Sequence, residues 1–98
     1  MRNMLAIRYT LLATKDLEEI FQYIAQEYHS RAEKFIVNLQ KKIELLSHNP
    51  EMGNRCKNRD IKQECRMLVY KNHMILYRFD STKVTIIRVI HQKQNYKG

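Results

Sequence analysis

Apolar positions along the chain follow two periods. Leu17, Ile20, Phe21, Ile24, Ala25 and Tyr28 recur at i, i+3, i+4, i+7, i+8 and i+11, which is one face of an amphipathic helix. Thr14 reads as its N-cap, and Asp16, Glu18 and Glu19 fall in the first turns, where acids suit the helix dipole. The spacing predicts a helix over 15–28. Ser30 with Glu33 reads as a capping box that opens a second helix. Ala32, Phe35, Ile36, Leu39, Ile43 and Leu46 form its apolar stripe, and Arg31, Lys34, Lys41 and Lys42 its polar face. Asn49-Pro50 ends it, because the residue before proline disfavours helix. The short connection at His29 makes the two helices an antiparallel hairpin.

Residues 4–9 alternate loosely and predict a short strand. Residues 53–63 are polar and basic and read as a long loop. From Cys65 the period becomes two, which predicts strands over 65–70, 73–79 and 84–91. Lys71-Asn72 and residues 80–83 are the turns. The fold class is α+β in the order β-α-α-β-β-β. The helical hairpin packs on one face of a small, mainly antiparallel sheet, and residues 1–98 form one domain.

A two-residue turn at Lys71-Asn72 pairs Tyr70 with His73, Leu68 with Ile75 and Arg66 with Tyr77. Pairing Phe79 with Val84 then sets Tyr77 against Ile86 and Ile75 against Arg88. Directly paired residues share a face. Met67, Val69, Met74, Leu76, Ile87 and Val89 make one face, purely apolar apart from Arg78 and Thr85 at its ends, and expected under the helices. Leu68, Tyr70, His73, Ile75, Tyr77, Ile86 and Ile90, with Arg66 and Arg88 among them, make the other. That second face is too apolar for water and predicts a partner surface.

Charge sharpens this picture. The 98 residues carry 18 Lys and Arg against 10 Asp and Glu, a net charge of +8. Residues 1–53 are neutral, and all of the excess lies in residues 54–98. Such asymmetry predicts an anionic partner for the C-terminal half. Apolar runs reach four residues, far short of the ~20 that span a bilayer. No signal peptide is visible, so a cytoplasmic, reducing setting is expected, with Cys56 and Cys65 as free thiols. The Cys-x8-Cys spacing fits no zinc pattern, and neither a metal nor a cofactor is expected.

Five stretches then carry a resemblance. They are residues 13–24 (ATKDLEEIFQYI), Asn49-Pro-Glu-Met-Gly53, the lone Arg66 opening a strand, residues 73–78 (HMILYR) and residues 86–91 (IIRVIH). In this order the chain resembles the ParE/RelE toxin superfamily of bacterial toxin–antitoxin systems over nearly its whole length. The resemblance implies a cognate antitoxin partner, whose C-terminal, often acidic segment wraps the toxin, and a toxin–antitoxin oligomer. Its antitoxin site is expected on Leu68, Tyr70, Ile75, Tyr77, Ile86 and Ile90.

Two activities divide that superfamily. RelE-like members cleave mRNA on the ribosome, which needs a base, an acid and cations at the phosphate. Arg66, His91 and Tyr96 would fill those roles here. ParE-like members poison DNA gyrase by binding and need no catalytic residue. The Asn-Pro-x-x-Gly junction and the Arg88–His91 ending look more like ParE, and no arginine follows His91. The expected toxin-active face is then Arg66, Arg88, His91, Lys93, Tyr96 and Lys97. A non-toxic relative that only binds antitoxin is the third reading.

Overall fold

The structure is a computed structural model that describes residues 4–56 and 65–92. Five strands form one sheet in the order β1-β5-β4-β3-β2. They are β1 (Ala6–Tyr9), β2 (Asn54–Arg55), β3 (Arg66–Tyr70), β4 (His73–Phe79) and β5 (Lys83–His91). Helices α1 (Leu11–Ala25) and α2 (His29–Glu44) follow β1 directly. β1 runs parallel to β5, and the other pairs are antiparallel. Two 3-10 turns, Leu45–Ser47 and Pro50–Met52, lead from α2 to β2. β2 lies within the stretch expected to be loop.

α1 starts four residues earlier than its apolar period implies. Thr10, not Thr14, is the N-cap, its hydroxyl accepting from the Ala13 N–H at 3.0 Å. Thr10 also donates its N–H to Ile86 at 3.0 Å and its hydroxyl to the Ile87 carbonyl at 2.8 Å. The cap is therefore fixed by the β1–β5 ladder, which periodicity does not see. α2 starts at His29, its N-cap Tyr28 makes no side-chain capping bond, and Ser30 lies inside the first turn. The expected capping box is not formed. Glu33 instead faces His29 Nδ1 at 3.4 Å.

The β3–β4 register is the expected one, as are Phe79 with Val84 and Tyr77 with Ile86. The expected Ile75–Arg88 pair is not made. A bulge between Leu76 and Tyr77 leaves Ile87 unpaired and sets Ile75 against Val89.

The face assignment is reversed. Leu68, Ile75, Tyr77, Val84, Ile86 and Val89 form the main core with Ala13, Leu39, Ile43 and Leu46 of the helical layer. Leu68, Ile75, Tyr77 and Ile86 are thus under the helices rather than on an open antitoxin surface, and Tyr70 packs against the same core. Only Ile90 of that expected set belongs to the other face, where it is buried with Cys65 and Leu76. Met67, Met74 and Ile87 pack around them, and Val69 is 45% exposed. Of the residues expected under the helices, only Val89 is there. Both faces read as apolar, and alternation fixes which residues share a face without saying which face the helices cover.

Cys56 and Cys65 are joined as a disulfide, their Cα atoms 5.3 Å apart. The expectation of free thiols rested on compartment. Register overrides it by placing the two residues opposite each other just beyond the β2–β3 pair.

Candidate functional site

Three places bring the expected site residues together. The first is built around Tyr77, fully buried in β4. Its hydroxyl donates to the Pro50 carbonyl at 2.7 Å and accepts from the Gly53 N–H at 2.8 Å. Burial pushes the Tyr77 phenol up, and the Gly53 bond and nearby Arg66 partly offset this. A Cβ on Gly53 would lie 2.7 Å from both the Met67 carbonyl and the Tyr77 hydroxyl. The Asn-Pro-x-x-Gly stretch is therefore a clamp on a buried tyrosine. Arg66 completes it, donating from Nη1 to the carbonyls of Gly53 at 2.8 Å and Glu51 at 3.3 Å. Its guanidinium also lies 5.7 Å from the Phe79 ring.

The second place is the free edge of β5 beyond β1. β1 ends at Tyr9, so later β5 groups lose their strand neighbour. α1 takes over. Asp16 Oδ2 accepts from the Val89 N–H at 2.9 Å and from Arg88 Nε at 2.8 Å, and Oδ1 accepts from Arg88 Nη2 at 3.0 Å. This is a bidentate pair with one end buried. Arg88, expected on an open toxin face, holds α1 against the sheet. Asp16 therefore does not serve the helix dipole from the first turn, the role expected of it, because α1 begins at Leu11; it sits on the buried stripe with Ala13 and pairs with β5.

The third is a half-open cleft of about 530 Å³ beside that pair. Glu19, Ile20, Tyr23 and Ile24 of α1 form one wall, with Phe35 of α2. His73 and His91 lie across from them, their rings edge to face at 5.1 Å. Burial pushes the His73 imidazole down, and the neighbouring His91 adds to this. His73 Nδ1 is buried with no hydrogen-bond partner. His91 was expected at a functional site and lies in this cleft; His73 was not singled out. Lys93, Tyr96 and Lys97 lie outside the described residues.

The helix-free face is laid out in rows by register. Arg8, Thr85 and Arg78 share one row, Asn54, Met67 and Leu76 the next, and Val69, Met74 and Ile90 the third. It is basic at one end and apolar in the middle. Among the described residues no cluster of three or more His, Cys, Asp or Glu fits a metal ion, and no helix is long and apolar enough to cross a membrane.

Comparison with known proteins bears on this arrangement. Curated proteins return no match. Among solved structures, a chain of the chromosomal ParDE TA system from P. aeruginosa superposes with a TM-score of 0.74 at 16% identity. The alignment covers 90% of this chain and 96% of that one, a likeness of fold. The family model of the ParE toxin of the type II toxin-antitoxin system parDE matches residues 7–96. The chain belongs to the ParE toxin family of type II toxin–antitoxin systems.

Proposed function

We propose that this toxin acts by binding DNA gyrase, without bond-making chemistry of its own, and that a cognate antitoxin holds it inactive. The observation that carries the first half is how the two strand arginines are used. Arg66 is committed to backbone carbonyls and Arg88 to Asp16. An RNA-cleaving site needs cations aimed at the phosphate as charge develops. Toxic action is then a matter of surface, and the positive excess of residues 54–98 suits gyrase or the DNA it holds. Lys93 and Lys97 carry part of that excess, and this reading assigns them, with Tyr96, to contact with gyrase.

For the antitoxin, the helix-free face replaces the set that the core absorbs. Met67, Met74, Ile87 and Val69 offer an adaptable apolar strip, with Arg8 and Arg78 in the row beside it. An amphipathic segment with acidic flanks fits such a strip.

Purified chain is assayed in parallel for gyrase supercoiling and for ribosome-dependent mRNA cleavage. Loss of supercoiling with intact mRNA is the expected result, and codon-positioned cuts would establish the RelE-like alternative instead. Met67→Asp and Met74→Asp should each weaken the co-expressed antitoxin at least tenfold by calorimetry while leaving gyrase inhibition in place.

A further inference from the structure

The hold of β2 on the sheet is short and is reinforced by a covalent tie. β2 is two residues long, shorter than ordinary strands. Its Arg55 sits directly opposite Arg66 of β3, a like-charge pair that works against the ladder. The chain before it is anchored, because Gly53 is clamped by Tyr77 and Arg66. After that clamp, Asn54 and Arg55 pair with Met67 and Arg66, and Cys56 donates to the Cys65 carbonyl at 2.8 Å. The covalent tie is the Cys56–Cys65 disulfide, 9 residues apart in sequence. Both sulfurs belong to the apolar cluster of the helix-free face, with Cys65 buried and Cys56 only half-buried. A reductant can therefore approach from the Cys56 side.

We propose that the Cys56–Cys65 disulfide is a redox clasp that locks β2 over the outer edge of β3. A dithiol reductant opens it by exchange. One reductant thiolate attacks one protein sulfur, forming a mixed disulfide and releasing the other protein sulfur as a thiolate; the second reductant thiolate then attacks the reductant sulfur of that mixed disulfide and releases the remaining protein thiolate. The protein gains two electrons and two protons as two thiols, and the reductant leaves as its own disulfide. Cut loose beyond the Gly53 clamp, β2 separates from β3. Unpaired N–H and C=O groups of β3 then face water, and one flank of the apolar cluster opens. Oxidation by a disulfide closes the clasp again. The switch acts on the β2 edge of the sheet and leaves the helical layer and the β4–β5 ladder in place.

The test uses the full chain. Thiol titration and backbone amide exchange are measured before and after dithiothreitol. No titratable thiol before treatment and two after it are expected. Exchange at the Cys56 amide and in β2 should quicken at least tenfold on reduction, with β4 and β5 unchanged. A Cys56→Ser/Cys65→Ser double variant should exchange fast at those positions with or without reductant. Two titratable thiols in the untreated protein overturn the proposal. So does unchanged β2 exchange after titration shows both thiols freed. Loss of protection throughout β4 and β5 also overturns it, since the disulfide would then hold the whole fold rather than one edge.

Discussion

At the residue scale, the polar side chains inside this fold are joints. Tyr77 is the clearest, since one hydroxyl satisfies both the Pro50 carbonyl and the Gly53 N–H within the core. Tyr77→Phe should cost roughly 1–3 kcal/mol in urea unfolding, because two buried backbone groups lose their partner and water cannot replace it. Asp16 is a joint of the same kind between α1 and β5. Neither role is legible from residue type, since a tyrosine in an apolar strand and an acid in a helix each have commoner explanations. The Asn-Pro-x-x-Gly stretch is legible as a family mark, and its physical reason appears only once Gly53 is seen against the Tyr77 hydroxyl.

At the element scale, helix starts show where local and tertiary forces compete. Thr10 caps α1 because the β1–β5 ladder delivers it there. Ser30 has the composition of a cap but lies a residue inside α2. Thr10→Ala should therefore cost about 1 kcal/mol or more, while Ser30→Ala stays within roughly 0.5 kcal/mol. Thermal unfolding of both variants checks the contrast. The positions of β3, β4 and β5 were legible in the sequence because alternation is strong there. The bulge at Leu76/Tyr77 was not, since no glycine or proline marks it. Every β5 position beyond the bulge consequently changes partner.

For the whole molecule, pH sets part of the stability through the cleft. The His73 pKa lies below its usual 6.5 because the imidazole is buried, with His91 adding to the effect. Asp16, Glu19 and Tyr23 of α1 and Arg88 and His91 of β5 line the same cleft. The unfolded chain binds the His73 proton more readily, so stability rises with pH through this window. The contribution is complete above about pH 6.5 and is lost as pH falls toward the lowered folded value. Urea midpoints should fall between pH 7.5 and pH 5, and the fall should be shallower in His73→Gln. Asp80 acts lower on the scale. The Thr82 N–H and hydroxyl and the Lys83 N–H hold it at about 2, so its share is lost as pH drops from about 4 through 2. Element order, the helical hairpin, most of the strand register and the family are legible in the chain alone, because they follow from periodicity, turn residues and ordered motifs. Tertiary structure alone decided which apolar face the helices cover, that Arg66 and Arg88 are spent on structural partners, and that the two cysteines meet. Those outcomes depend on contacts between residues far apart in sequence, and no local pattern encodes which of two apolar surfaces will be closest to the helices once the chain has folded.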